Sequence, residues 1–191
     1  MYEGLKIGLF GGSFDPAHMG HLHVAKAGLR ELSLDHVWWL VSPQNPLKQE
    51  QPSYESRVET VKDLTLPPRM AISHVEKEAN TNYTVDLLRL LKKRHPDTQF
   101  VFMMGADNFA QLPKWRKWQD IMAAYPIAVI SRPGGGLKAR LGQAARQYAD
   151  SRVPEQCAAS LAEMTAPRWT YLTLPLDKRS SSALRAKLAR D

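Results

Sequence analysis

Three observations predict a doubly wound, mainly parallel α/β sheet with helices on both faces, a three-layer fold in a single domain over residues 1–191. Short runs rich in Val, Ile and Phe alternate along the chain with segments of helical period. One of them, FVFMM at 100–104, is continuously apolar, as a strand covered on both faces must be. Polar loops carrying Gly, His, Asp and Ser follow the predicted strands, and in such a sheet these loops gather at one edge.

The elements follow in order. LKIGLF (5–10) reads as the first strand, and 21–32 as a helix with Leu22, Ala25, Leu29 and Leu32 on one side. HVWWLV (36–41) is the second strand. The helix predicted over 54–65 has Ser53 as N-cap and Glu55 and Ser56 in its first turn. MAISHV (70–75) gives a third strand, and 84–95 a helix stopped by Pro96. TQFVFMMG (98–105) is the central strand. A helix around 118–125, the strand PIAVIS (126–131) and a helix within 137–149 come next. The strand WTYLTL (169–174) and a terminal helix from about Ser181 close the chain, and 150–168 reads as a helical insertion or loop.

Composition bounds the function. A hydrophobic fraction of 43% and a charged fraction of 24% are ordinary for a globular domain of 191 residues. Cys157 is the one cysteine, which excludes an internal disulfide framework and a cysteine-only zinc site, and fits a reducing cytoplasm. No targeting segment is evident, and the apolar runs are far too short to span a bilayer, so no membrane partner is expected. The formal charge of +7 favours an anionic partner, either nucleic acid or a polyphosphate nucleotide. Its basic clusters are scattered and read as solvated helix faces.

The chemistry concentrates in GGSFDPAHMGH, residues 11–21. Neither G-x-G-x-x-G nor a P-loop is present. Gly11 and Gly12 are placed in a tight turn after the first strand, close to a ligand. His18 and His21 are three apart, so at a helix start they share a face. Imidazoles there donate to phosphate oxygens, assisted by the positive end of the helix. His23 points elsewhere. H-E-x-x-H and a matching Cys or acidic cluster are both lacking, so no protein metal ligand is expected.

GGSFDPAHMGH resembles the signature of the HxGH nucleotidyltransferase superfamily. SPQNPLK (42–48), NYTVDLL (82–88), MGADNFAQLPKWRKW (104–118), SRPG (131–134) and RSSSALR (179–185) extend the likeness to the bacterial nicotinate-mononucleotide adenylyltransferases over almost the whole chain. Two residues depart from that pattern, Arg179 before the serines and Ser182 in place of Thr. The resemblance implies transfer of the adenylyl group of ATP to nicotinate mononucleotide, with Mg²⁺ accompanying the triphosphate. It implies an ATP site of Gly11, Gly12, Ser13, Phe14, His18, His21, Gly105, Asp107, Ser131, Ser180, Ser181, Ser182 and Arg185. His18, His21 and Arg185 are its catalytic candidates. For Asp107 a helix N-cap is the plainer role, and for the three serines ordinary N-capping uses the same geometry as anion binding. Implied for the mononucleotide are Asp15, Asn45 and Lys48, with Thr84, the Arg116 amide and a Trp115 ring stacked on the pyridine. Asp15 equally shapes the turn before Pro16.

Rival functions remain at this stage. Another HxGH transferase would take nicotinamide mononucleotide or pantetheine phosphate as acceptor. A non-catalytic nucleic-acid-binding module would bind polynucleotides with strong salt dependence, but no such module is recognised and nucleic acid is not an expected partner. A tRNA synthetase is excluded by size. Oligomeric state is not legible in the sequence.

Overall fold

The computed structural model describes residues 2–43, 51–79, 81–131 and 136–174. Asn45, Lys48, Arg179, Ser180, Ser181, Ser182 and Arg185, and the expected terminal helix, lie outside the described residues.

The chain runs β1 (Lys6–Gly12), α1 (Met19–Glu31), β2 (His36–Val41), α2 (Tyr54–Lys62), β3 (Met70–Ser73), α3 (Val75–Glu78) and α4 (Thr84–Arg94). It continues with β4 (Gln99–Gly105), α5 (Ala106–Gln111), α6 (Trp118–Ala124), β5 (Ile127–Ile130), α7 (Gly136–Leu141), α8 (Gln143–Gln147), β6 (Arg152–Val153) and β7 (Trp169–Leu172). The strands form one seven-stranded sheet in the order β3-β2-β1-β4-β5-β7-β6. Every pairing is parallel, so the expected doubly wound sheet forms. Strand order reverses between β1 and β4, and an open α/β sheet leaves its ligand crevice there, beyond the carboxyl ends.

The continuous apolar runs resolve into two faces at a period of two residues. Ile7, Leu9, Leu40, Phe100, Phe102 and Met104 share one core with Leu87, Leu88 and Leu91 of α4 and Ile121 and Met122 of α6. Phe10, Val37, Trp39, Val101 and Met103 share the other with Leu22 and Ala25 of α1 and Val58 and Val61 of α2. Helix α1 packs on the sheet through glycine. A Cβ at Gly28 of α1, or at Gly8 of β1, would run into the Met103 side chain. No helix among the described residues is long and apolar enough to cross a membrane.

Four boundaries differ from expectation. Gly11 and Gly12 lie within β1, paired with Leu40 and Val41, rather than in a turn. β3 stops at Ser73 because the chain exchanges its ladder for a helical turn, with Glu78 N–H donating to His74 O (3.0 Å). An edge strand, bonded on one side only, gives up its ladder readily. The helix expected within 137–149 is two helices, broken where Gly142 adopts an extended conformation as N-cap of α8. The irregular stretch 150–168 holds β6 and a 3-10 helix over Glu155–Glu163. A two-residue strand is too short to carry periodicity.

Candidate active site

The β1–α1 connection sets the site. Ser13 leaves the strand, and Phe14 takes a left-handed conformation (φ 45°) that an L-residue adopts at a cost of about 1–3 kcal/mol. Burial of its ring holds it there, 5.0 Å from Trp39, 5.1 Å from His21 and 5.4 Å from Phe10 between centroids.

His18 is the N-cap of α1 and His21 its third residue, and the two close a reciprocal capping box. Gly20 N–H donates to Nδ1 of His18 (3.1 Å), and His18 N–H donates to Nδ1 of His21 (3.2 Å). The ring centroids lie 3.9 Å apart and both residues are buried. Each Nδ1 is therefore an acceptor, and in the neutral imidazole the proton sits on Nε2. Both rings present N–H donors on the side away from the helix amides. Spacing alone placed the two histidines on one face; the cap bonds add the tautomer.

The β1–α1 loop is held from α2. Arg57 is 1% exposed, and its guanidinium donates to four backbone carbonyls. One Nη serves Ser13 O (2.8 Å) and Ser42 O (2.7 Å), the other serves Pro43 O (2.7 Å), and Nε serves Pro52 O (3.1 Å). Burial lowers the pKa of this guanidinium, and Asp15 is the strongest group acting to raise it. Thr60, one turn further, accepts from Ala17 N–H (3.0 Å). A single side chain thus ties the ends of β1 and β2 together. Sequence reasoning missed it. Its signal was an arginine four residues before Val61, on the apolar stripe of α2.

Beside these loops a cavity of about 430 Å³ opens, within the range of small-molecule sites. It brings together six of the predicted residues: Gly11 and Gly12 of β1 and the adjoining Ser13, with Thr84, Trp115 and Arg116. Thr84 is the first residue of α4, so this helix directs its positive end there. The Arg116 side chain lies over the Tyr83 ring (4.6 Å to its centroid) and 3.8 Å from Asp86, leaving its backbone as the part suited to a ligand. Ser42, Asn82 and Glu76 join the lining and were not anticipated.

The remaining predicted residues lie outside that lining. Phe14, Asp15 and His18 are buried in the β1–α1 connection, and His21 in the first turn of α1. Gly105 ends β4 and is itself the N-cap of α5, so Asp107 stands in the first turn rather than at the cap. Ser131 Oγ accepts from Leu174 N–H (2.8 Å), which ties its hydroxyl to the segment after β7. Among the described residues no group of three or more His, Cys, Asp or Glu side chains converges as a cation site.

Comparison with known proteins places the chain in a family. The family model for cytidylyltransferase-like proteins matches residues 9–187. The chain belongs to the cytidylyltransferase-like family. A relative from Caulobacter sp. (strain K31), named a probable nicotinate-nucleotide adenylyltransferase, is 49% identical over 185 residues, 96% of this chain and 98% of the relative. One of the same name from Cereibacter sphaeroides is 45% identical over 181 residues, 94% and 96% of the two chains. Among solved structures, Plasmodium falciparum nicotinic acid mononucleotide adenylyltransferase complexed with NaAD superposes with a TM-score of 0.72. That match covers 95% of this chain and 83% of the other at 17% identity, a likeness of fold. In the terms of this cytidylyltransferase-like fold, the glycine-ended β1 and the capped histidines stand at the switch point of the sheet.

Proposed function

We propose that the protein is a nicotinate-mononucleotide adenylyltransferase. Its reaction joins nicotinate mononucleotide and ATP to give nicotinate adenine dinucleotide and pyrophosphate. The observation that carries this reading is the His18–His21 pair capping α1 directly after Gly11, Gly12 and Ser13, which line one cavity with Thr84 and Trp115. The name shared by relatives at 45% and 49% identity supports it.

The mononucleotide phosphate has a second pKa of about 6, so near neutral pH it is already a nucleophile and needs no strong base. One of its oxygens bonds to the α-phosphorus of ATP as the bond to the β-phosphate bridging oxygen breaks, and pyrophosphate departs with that electron pair. Catalysis is then positioning and charge stabilisation. His18 and His21 donate to the phosphates of ATP. The backbone of Gly11, Gly12, Ser13 and Phe14 approaches the same phosphates. By the resemblance, Gly105, Asp107 and Ser131 belong to the ATP site, Asp107 suited to ribose hydroxyls, and Ser180, Ser181, Ser182 and Arg185 are assigned to its phosphates. Trp115 stacks on the pyridine, Thr84 and the Arg116 amide take its carboxylate, and Asp15, Asn45 and Lys48 attend the rest of the mononucleotide. Magnesium enters as the counter-ion of ATP, where it neutralises phosphate charge. A cytoplasmic location belongs to the same reading, resting on the single cysteine.

The test is pyrophosphate release with ATP, Mg²⁺ and each candidate acceptor separately. Nicotinate mononucleotide should be the preferred acceptor. Equal efficiency with nicotinamide mononucleotide would remove the acid preference, and no release with either would remove the activity.

A further inference from the structure

Glu76 lines the cavity, and among the described residues its carboxyl group makes no bond that holds the fold. It is the second residue of α3, just beyond the edge strand β3, and only 6% exposed. It lines the cavity with Asn82, Thr84 and Trp115. Among the described residues nothing hydrogen-bonds its carboxyl oxygens.

Among the described residues the charged and titratable groups around it leave it unpaired. Arg57 faces it from α2 and is the one group that draws its pKa down, but the hydrogen bonds of that guanidinium go to four backbone carbonyls. Tyr54, also on α2, feels its charge, yet the Tyr54 hydroxyl lies 2.6 Å from His74 Nδ1. Lys114 and Arg116 line the same cavity from the loop before α6. Burial outweighs Arg57 and pushes Glu76 up to about 8. At neutral pH the group is therefore a carboxylic acid, able to donate through O–H. An unpartnered buried carboxyl destabilises a fold, and an apolar side chain of similar size would serve α3 better.

We propose that Glu76 is a specificity-determining contact of the acceptor nucleotide, its carboxyl group hydrogen-bonding that nucleotide inside the cavity. The proposal rests on the adenylyl-transfer reading of the same cavity. Below about pH 8 the donor is present. Above it the proton leaves, and a carboxylate faces an anionic substrate, so the contact turns repulsive.

The experiment measures KM for nicotinate mononucleotide and for ATP separately from pH 6.5 to 9.5 (about 1.5 units either side of the transition) in the parent, E76Q and E76L. Calorimetric titration of the mononucleotide gives the same comparison without turnover. In the parent, KM for the mononucleotide should climb about tenfold across the alkaline limb, with KM for ATP within about twofold. E76Q keeps a neutral donor and should flatten the climb. E76L should weaken the mononucleotide about tenfold at pH 7, as loss of one hydrogen bond to a charged group implies, while raising the melting temperature. A parent-like alkaline climb in E76Q, unchanged affinity in E76L, or a lowered melting temperature in E76L would each overturn the proposal. A parent that forms no dinucleotide removes the activity and leaves the titration to judge the contact. A parent that turns over beside an unaltered E76L removes the contact alone.

Discussion

Replacing Arg57 by methionine is the most demanding perturbation of this site. The side chain is 1% exposed and donates four hydrogen bonds of 2.7–3.1 Å, to Ser13, Ser42, Pro43 and Pro52 carbonyls. Hydrogen bonds to a charged group contribute about 1.5–3 kcal/mol each, so four lost bonds remove at least about 6 kcal/mol. Against this, a guanidinium no longer has to be desolvated, which returns several kcal/mol, and methionine refills much of the stem volume. The net expectation is a loss of about 2–4 kcal/mol. For a domain of this size that lowers the melting temperature by roughly 4–16 °C. Function should suffer beyond stability, because the ends of β1 and β2 lose their common tie, and a displacement of about 1 Å in such loops can lower kcat/KM about 100-fold. R57K keeps the charge but replaces a planar fork by three donors on one nitrogen, and should fall between parent and R57M. Thermal unfolding and steady-state kinetics measure both effects. An R57M protein that melts within about 2 °C of the parent and keeps its kcat/KM would refute the idea that this residue positions the loops.

Three further outcomes are expected. His21→Asn places an amide oxygen where Nδ1 accepts from His18 N–H, preserving the cap while removing the Nε2 donor. Turnover should drop about 10²–10³-fold with an unchanged melting temperature, and parent-like turnover would argue against phosphate contact. Trp115→Ala should chiefly raise KM for the mononucleotide, read from initial rates at saturating ATP, and an unaltered KM would move the ring elsewhere. Tyr125→Phe removes a buried hydroxyl that has no partner among the described residues and whose pKa burial drives upward. It should leave stability unchanged or raise it by up to about 1 kcal/mol in a denaturant titration, whereas a loss above that would reveal a missing hydrogen bond.

The three-layer sheet was legible because its signals are local. Phe100–Met104 is a run that only a doubly covered strand tolerates, and Ser53 does cap α2 through Ser56 N–H (3.1 Å). The grouping of Gly11, Gly12, Ser13, Thr84, Trp115 and Arg116 around one cavity was likewise foreseeable, since loops after parallel strands meet at one edge. Long-range burial was not. Glu76 sits in the charged run EKE, where nothing local marks it as 6% exposed, and Arg57 is buried by partners 5 to 44 residues away. Phe14 looked like part of a polar loop, yet its ring belongs to the core beside Trp39. Gly142 was read as helical, although a glycine weakens a helix interior and here marks its break.

The interlocked imidazoles at the start of α1 have a consequence for sequence change. Each ring accepts a backbone N–H through Nδ1, so a residue substituted at 18 or 21 must offer an acceptor at the same reach or strip an amide of the first turn of its bond. The two positions are also tied to each other, since the amide of His18 is served by the ring of His21. A change at either one is felt at the helix start as well as at the ring itself, and the pair varies as a unit.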